Sequence, residues 1–127
     1  MTLIQFLRLP LKNKIDGVWL SGIYGEGEYI EYLRNGKLRE RSHYENGKLH
    51  GEYKYWYSDG RIYECFHYKN GKFHGECKLW YNDGMPLEHT HYKNGLLHGE
   101  CKLWNKNGEL VEHSLYENGK IIKDYLK

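Results

Sequence analysis

The sequence predicts an all-β protein, an elongated single-layer antiparallel β-meander or solenoid built from β-hairpin repeats. Three observations support this fold class. A ten-residue phrase, His-Tyr-X-Asn-Gly-X-X-His-Gly-Glu, returns with a period of 24 residues. Each period contains two turn dipeptides, and the segments between them alternate between two sets of side chains. A fixed period of this length indicates a repeat array, in which each unit buries its apolar face against its neighbours.

The phrase occurs in three complete copies, which begin at His43, His67 and His91, with weaker copies before and after them. We therefore assign residues 19–127 to the repeat array. Its units are residues 19–42, 43–66, 67–90 and 91–114, followed by the partial unit 115–127. Residues 1–18 lie outside the period. We interpret them as a cap that shields the end of the array, or as a segment that docks a partner, because solenoids need atypical end units.

The turn dipeptides form two series. The first series is Asn46-Gly47, Asn70-Gly71, Asn94-Gly95 and Asn118-Gly119. The second series is Asn35-Gly36, Asp59-Gly60, Asp83-Gly84 and Asn107-Gly108. Asn-Gly and Asp-Gly both suit a type I′ turn, whose two central residues have positive φ. We therefore predict two-residue hairpin loops in both series, joining about eight or nine antiparallel strands.

Each strand presents two faces, because successive side chains of a strand point to opposite sides. We expect one of them, here named the Tyr face, to be the core. It carries Tyr53, Tyr55 and Tyr57, with Cys77, Leu79, Tyr81, Cys101, Leu103 and Asn105 at the equivalent positions. The opposite side, here named the Trp face, carries a Trp ladder among charges. Its members are Trp56, Trp80 and Trp104, with Tyr32 at the same position in the first unit, and the nearby Lys54, Lys78 and Lys102.

The predicted loop at Asp59-Gly60 places the Trp ladder opposite a second row of residues. The predicted partners of Tyr32, Trp56, Trp80 and Trp104 are Arg39, Tyr63, Leu87 and Val111, respectively. Cross-strand pairs of this kind stabilise a sheet by roughly 0.2–1 kcal/mol each. An exposed row of aromatic side chains is also typical of an interaction hot spot. The structural and the functional interpretation are compatible.

The predicted Asn-Gly loops set histidines opposite each other. The pairs are His43 with His50, His67 with His74, and His91 with His98. Three interpretations are open: neutral rings that hydrogen-bond each other or a Glu, a pH sensor in which protonated rings repel, and a metal site. The metal site would add His89 and His91, or Cys65 and His67, as ligands on the same face. Because two neutral imidazoles bind a metal weakly and no zinc-site spacing supports them, we predict no metal and no cofactor.

A ladder of carboxylates recurs on the Tyr face, and we interpret it as structural. Its members are Glu40, Glu64, Glu88 and Glu112. A half-buried carboxylate needs a partner, and we expect a Tyr hydroxyl or a Lys from a neighbouring strand. The sequence contains no recognisable set of nucleophile, base and orienting group, and no phosphate-binding Gly-rich loop. We therefore predict a protein that is not an enzyme.

Composition narrows the partner class and the compartment. The 127 residues form one domain or one array, with 28% charged residues and a mean hydropathy of −0.87. A net charge of +2 without a basic stripe gives little reason to expect nucleic acid. Three cysteines without a disulfide pattern indicate a reducing compartment, so we expect a cytoplasmic protein. The sequence contains no apolar run long enough to span a membrane.

The repeats resemble the MORN repeat, in its second and more divergent subclass, which occurs in bacterial and large-virus proteins. The segments Tyr44–Glu52 and Trp56–Gly60, with their copies, carry the resemblance over residues 19–125. It implies an elongated single-layer array of β-hairpins. It also implies a role in protein–protein scaffolding, phospholipid binding in some members, and an antitoxin label in some bacterial relatives. A viral source would place the protein in the host cytoplasm.

From these observations we predict a non-enzymatic scaffold that binds another protein through the Trp face. The candidate residues are Trp56, Trp80, Trp104, Tyr32, Lys54, Lys78, Lys102, His43, His50, His67, His74, His91 and His98. The alternatives are a peripheral phospholipid or membrane-surface binder and an antitoxin-like neutralising protein. A single-layer sheet has exposed edge strands, so a homodimer is also possible.

Overall fold

The computed structural model describes residues 17–127. They form one antiparallel sheet of 13 strands, which confirms the predicted all-β meander. The strands are β1 (Gly17–Trp19), β2 (Gly27–Tyr32), β3 (Leu38–Glu45), β4 (Lys48–Leu49), β5 (Gly51–Trp56), β6 (Ile62–Lys69), β7 (Lys72–Phe73), β8 (Gly75–Trp80), β9 (Pro86–Lys93), β10 (Leu96–Leu97), β11 (Gly99–Trp104), β12 (Leu110–Glu117) and β13 (Lys120–Asp124). Within this described part of the chain there is no helical segment with the length and hydropathy of a membrane span.

The sheet follows the order of the chain. Ten strands pair in sequence as β1-β2-β3-β5-β6-β8-β9-β11-β12-β13. The two-residue strands β4, β7 and β10 lie off this path, and each pairs with the strand before it. The predicted turns join the strands from β2 to β13, and β1 adds one more strand to the described residues. Sequence neighbours are therefore spatial neighbours, as expected for a repeat array.

The first turn series adopts the predicted type I′ conformation. Asn46 has a φ of 53° and Gly47 a φ of 78°. Asn70, Asn94 and Asn118 have φ values of 51°, 52° and 50°, each followed by a Gly with positive φ. Both central residues of a type I′ turn need this region, which Asn and Gly tolerate best. The two-residue loop and the pairs Tyr44 with Leu49 and Glu45 with Lys48 are confirmed.

The second turn series differs from the prediction. Gly60 has a φ of 93°, but Asp59 is not among the residues with positive φ. The Gly60 N–H donates to the Tyr57 carbonyl at 3.0 Å, and the Tyr57 N–H donates to the Arg61 carbonyl at 2.8 Å. The loop is therefore longer than two residues and ends in a bulge. The Asp59 Oδ1 accepts the Arg61 N–H at 2.9 Å, a side-chain bond that favours this Asx turn.

Each Asn-Gly hairpin continues through a step in register. Tyr44 pairs with Leu49, whereas Glu40, four residues back along β3, pairs with Tyr55. Between these two pairs, the chain advances four residues along β3 but six residues along the returning segment from β4 to β5, here called the return arm. The step follows the tip, where Gly51 has a φ of 95° that a residue with a Cβ rarely adopts. The register deduced from the tip therefore does not extend along the whole strand.

The hairpin tips of successive repeats bond to one another. The Gly71 N–H donates to the Leu49 carbonyl at 2.8 Å, and the Gly95 N–H donates to the Phe73 carbonyl at the same distance. Gly47 and Gly119 make equivalent bonds to Gly25 and Leu97. A backbone ladder therefore runs along one margin of the array and joins each unit to the next.

The Tyr face is the core, as predicted, and its centre is filled by small side chains. Cys77 pairs with Thr90, and Cys101 pairs with Ser114; all four are buried. Larger rings lie beside this buried line. Phe73, for example, packs against Tyr68 and Tyr92, with centroid distances of 4.9 and 5.0 Å. Small residues at the centre allow rings from neighbouring repeats to come into contact.

Trp19 closes the array at the N-terminal end of the described residues. Its side chain is buried and lies against Tyr24, Tyr29 and Tyr44, with centroid distances of 5.4, 5.0 and 4.6 Å. Aromatic contacts of this kind shield the end of a sheet from water. Of the predicted N-terminal segment, Gly17 and Val18 belong to β1, and residues 1–16 lie outside the described part of the chain.

Candidate functional site

The Trp ladder has different cross-strand partners from those predicted. Trp56, Trp80 and Trp104 are half-buried, and Tyr32 is exposed. Their partners are, in chain order from Tyr32, Leu38, Ile62, Pro86 and Leu110. The predicted partners Arg39, Tyr63, Leu87 and Val111 are wrong by one residue. The cause is the bulge after each turn of the second series, which shifts the register between Tyr55 and Trp56 and at the equivalent positions.

The bulge brings the displaced residues to the Tyr face. Tyr63 packs edge-on against Tyr55 and Tyr57, with centroid distances of 6.1 and 4.7 Å. The Arg39 Nε donates to the Tyr55 hydroxyl at 2.7 Å, and the guanidinium lies 5.4 Å from the centre of the Tyr55 ring. A sequence signal for this was present, because a type I turn followed by Gly commonly ends in a bulge.

The Trp ladder borders an open pocket. Trp80 and Trp104 stand on either side of it, and its lining includes Lys78, Pro86 and His89. A pocket with aromatic walls and a polar margin is typical of the position where a partner inserts an apolar side chain. Of the predicted candidate residues, this pocket brings together Lys78, Trp80 and Trp104.

The predicted Lys row is paired with a Glu row on the same strands. Lys54 lies 3.2 Å from Glu52. The equivalent distances are 3.4 Å from Lys78 to Glu76 and 3.8 Å from Lys102 to Glu100. These pairs are at least one-third exposed, so each contributes little to stability. Their main consequence is that the Lys row adds little net positive charge to the Trp face.

The Glu row also contacts the next strand. The His89 Nε2 lies 2.9 Å from the Glu76 carboxylate, and the His113 Nε2 lies 3.2 Å from the Glu100 carboxylate. The hydrogen bond from His89 lowers the pKa of Glu76, and the hydrogen bond from His113 lowers the pKa of Glu100. His89 and His113 were not among the predicted interaction residues.

The paired histidines are neighbours in the backbone, but their rings have different partners. The His50, His74 and His98 N–H groups donate to the His43, His67 and His91 carbonyls, each at 2.8 Å. The ring of the second histidine in each pair accepts a backbone N–H group from the Asn-Gly turn of the next repeat. The bonds are Asn70 to His50 at 3.3 Å, Asn94 to His74 at 3.2 Å and Asn118 to His98 at 3.3 Å. These rings therefore connect each repeat to the next.

In two of the pairs, the first histidine makes a hydrogen bond through Nδ1 to a backbone carbonyl of a later strand. The His67 Nδ1 lies 3.0 Å from the Glu76 carbonyl, and the His91 Nδ1 lies 2.9 Å from the Glu100 carbonyl. A carbonyl is only an acceptor, so Nδ1 is the protonated nitrogen in both rings. His43 lies opposite Glu28 in the sheet.

The Glu ladder of the Tyr face contacts Tyr hydroxyls, as expected for half-buried carboxylates. The Tyr53 hydroxyl donates to Glu40 at 2.8 Å, and the Tyr116 hydroxyl donates to Glu112 at 3.2 Å. Burial and the charge of Glu40 raise the pKa of Glu64. Burial and the charge of Glu112 do the same to the pKa of Glu88. Negative charges on neighbouring repeats thus repel each other along the ladder.

The three cysteines are unpaired. Cys77 and Cys101 are buried, and Cys65 is partly exposed. Burial raises the pKa of the Cys77 and Cys101 thiols to about 11, so both are protonated near neutral pH. Because the thiolate is the nucleophilic form, neither has the character of a reactive cysteine.

The fold and the Trp face together define a β-hairpin repeat protein with an extended open surface. Four consecutive matches to the family described as MORN repeat variant cover residues 25–46, 49–70, 73–94 and 97–118, which is more than half of the chain. The chain therefore belongs to this family, and the resemblance found in the sequence is confirmed. No curated protein matches the chain.

Two solved structures of TarM align with the chain. One has 18% identity and a TM-score of 0.45, and it covers 90% of this chain and 22% of the TarM chain. The other, an S. aureus TarM variant in complex with fondaparinux, α-GlcNAc-glycerol and UDP, has 17% identity and a TM-score of 0.47, with the same coverage. The chain thus spans about a fifth of TarM, and likeness at this level identifies neither an activity nor a partner.

Proposed function

We propose that this chain is a non-enzymatic scaffold that binds another protein through the Trp face. MORN repeats generally form scaffolds for protein or membrane interactions. The observation that carries the choice of surface is the open pocket between Trp80 and Trp104. Trp is the residue type most enriched in interaction hot spots, and half-buried rings lose little conformational entropy on binding.

The charge arrangement supports a protein partner over a membrane. Lys54, Lys78 and Lys102 already contact Glu side chains on their own strands. Attraction to anionic lipid scales with basic residues that are not neutralised, so the Trp face offers little of it. We expect no sedimentation with anionic vesicles at physiological salt, and clear sedimentation would favour the membrane alternative.

The proposal also covers the compartment of the protein and the antitoxin alternative. Three unpaired cysteines are in keeping with a reducing compartment, and we propose the cytoplasm, or the host cytoplasm for a viral source. The antitoxin alternative depends on the family resemblance alone. The same Trp surface would serve it, with a toxin as the protein partner.

Substitution of the Trp ladder tests the proposal. A Trp56→Ala, Trp80→Ala, Trp104→Ala variant is compared with wild type by affinity capture from host lysate and mass spectrometry. A control variant carries Met85→Ala, Leu96→Ala and Ile122→Ala, which truncate exposed apolar residues outside the ladder. Circular dichroism verifies that both variants keep the sheet.

We expect a protein that wild type and the control variant capture and the Trp variant loses, by at least about tenfold in recovered amount for a loss of ~1.4 kcal/mol. Purified partner then gives the affinity by titration. Equal capture by all three proteins would place the binding surface away from the Trp ladder. Capture of no specific protein by wild type would contradict the proposed function.

A further inference from the structure

Two strands bring three metal-ligating side chains together on the Trp face. Glu76 on β8 is the cross-strand partner of His91 on β9. His89 lies two residues before His91 on β9, so it projects from the same face. One ligand atom from each of the three side chains lies within 4.8 Å of the other two. From the sequence, His89 and His91 were considered as ligands, but Glu76 was not named as the third.

We propose that Glu76, His89 and His91 bind one zinc ion. Two imidazoles and one Glu carboxylate form an established three-ligand set for zinc, with water as the fourth ligand. The proposal goes beyond the protein-binding function but shares the Trp face with it, since His91 is one of the candidate residues and His89 lines the pocket between Trp80 and Trp104. Glu76 is exposed and both histidines are half-buried, so water can reach the site.

The hydrogen bond of the His91 ring leaves Nε2 as the nitrogen that can bind a metal. Its Nδ1 lies 2.9 Å from the Glu100 carbonyl, so Nδ1 carries the proton and the electron pair of the ring is at Nε2. Metal-binding histidines commonly donate their other N–H to a carbonyl in this way. His67, one repeat earlier, makes the same bond to Glu76, and its Nε2 lies 3.9 Å from the Glu52 carboxylate. The repeat thus presents this nitrogen to the row of carboxylates.

The His89 ring and the Glu76 carboxylate need only small movements to bind the ion. The His89 Nε2 lies 2.9 Å from the Glu76 Oε2, and zinc would replace the shared proton. The His89 and His91 rings have centroids 5.0 Å apart. Zinc ligands at about 2.0–2.1 Å from the ion lie about 3.4 Å from each other, so shifts of about 1 Å suffice. The His89 and Glu76 side chains are 34% and 47% exposed, which leaves them room to move.

Comparison of the repeats shows that the fold does not require this ligand set. The three equivalent positions hold Glu28, Arg41 and His43 two periods earlier, Glu52, Cys65 and His67 one period earlier, and Glu100, His113 and Leu115 one period later. The position of His89 therefore accepts Arg, Cys or His without loss of the strand. Among these four sets, the set of Glu76, His89 and His91 combines a carboxylate with two imidazoles.

One neighbouring charge opposes the ion. The Lys78 Nζ lies 3.4 Å from the Glu76 carboxylate and would have to turn away. Its side chain is 43% exposed, so it can do so into water. A Lys78→Ala variant should consequently bind zinc more tightly than wild type, by several-fold.

Titration of the full chain with zinc chloride by calorimetry tests the site. We expect one ion per chain in wild type, and at least about tenfold weaker binding in His89→Ala, since even outer-shell partners contribute about 10–100-fold. His113→Ala is the matched control, because it removes the equivalent His in a repeat without the second imidazole, and it should bind as wild type does. Leu115→His should add a second ion by completing the equivalent set with Glu100 and His113.

Thermal melting in EDTA separates binding from folding. His89→Ala should melt with wild type there, since the position accepts other residues, and zinc should raise the melting temperature of wild type but not of His89→Ala. Equal zinc affinity in wild type and His89→Ala would overturn the proposal, because other histidines would then hold the ion. Absence of binding to wild type at micromolar zinc would also overturn it.

Discussion

At the scale of single residues, the hairpin histidines act as acceptors for the following repeat. The Nδ1 atoms of His50, His74 and His98 accept backbone N–H groups of the next Asn-Gly turn. A turn N–H left without an acceptor costs free energy, so each ring stabilises the contact between two repeats. The neutral ring is the form that can accept, because a protonated imidazole has donors alone.

We expect His98→Ala to lower the free energy of unfolding by about 1 kcal/mol, because the Asn118 N–H loses its acceptor. Urea denaturation at neutral pH measures the change. Lys106→Ala, in an exposed part of another turn, serves as the control and should change stability little. If His98→Ala loses no more stability than Lys106→Ala, water has replaced the ring as the acceptor of the Asn118 N–H.

Glu64 provides a pH-dependent prediction. Burial and the charge of Glu40 raise its pKa, so ionisation of Glu64 opposes folding. The penalty is present above the folded-state pKa and disappears below the unfolded-state value. Glu64→Gln should therefore be more stable than wild type at about pH 7, and this advantage should vanish below about pH 4.

Thermal unfolding of both proteins across this range measures the difference. Glu117→Gln, on an exposed residue at the end of β12, is the control for loss of one negative charge. A Glu64→Gln variant that is less stable than wild type at neutral pH would mean that the ionised carboxylate makes a favourable contact in the fold.

At the scale of elements, the two turn series differ in what they demand of the residue before Gly. Asn94 has a φ of 52°, whereas Asp83 is not among the residues with positive φ. Asp83 instead accepts the Met85 N–H through Oδ1 at 2.9 Å. The first series therefore selects for tolerance of a left-handed backbone, and the second selects for a side-chain acceptor.

Asn94→Ala should destabilise the protein by about 1–2 kcal/mol, because Ala is strained at positive φ. Asp83→Ala should cost about 0.5 kcal/mol, because it removes a single exposed hydrogen bond. Urea denaturation of the two variants under the same conditions compares them. The reverse order would mean that the second turn series, rather than the first, carries the backbone strain.

At the scale of the whole molecule, β13 is the last strand of the sheet that residues 17–127 form. β13 pairs with β12 on one side, and its exposed apolar residues include Ile121 and Ile122. An apolar edge strand is a template for pairing with a second chain. A homodimer through this edge, one of the routes open to it, would bring a second chain beside both isoleucines.

We expect the mass in solution to rise from 15.3 kDa towards twice that value as concentration increases. Light scattering after size exclusion measures it. Ile122→Lys should keep the protein monomeric, because charge on an edge strand opposes pairing. Val111→Lys is the matched control on an exposed residue away from β13, and it should still dimerise. A monomer at every wild-type concentration would contradict the prediction.

The sequence by itself determined the all-β class, the repeat period, the type I′ turns of the first series and the assignment of the Tyr face to the core. These features follow from local rules: a period of two along each strand and dihedral preferences at Asn-Gly. Tertiary structure decided where the register shifts along each strand. The bulge at each turn of the second series moved Tyr63 and Arg39 to the Tyr face, and the step after each Asn-Gly tip broke the register along the return arm.

Only the tertiary structure could place the turn N–H groups beside the histidine rings, or show that a ligand atom of Glu76 lies within 4.8 Å of ligand atoms of both His89 and His91. The physical reason is that alternation specifies which side of a strand a residue faces, but not its neighbour across the sheet. That neighbour depends on loop length and bulges, which differ by one or two residues between turns of similar sequence. Contacts between successive repeats then fix which residues become neighbours across the sheet.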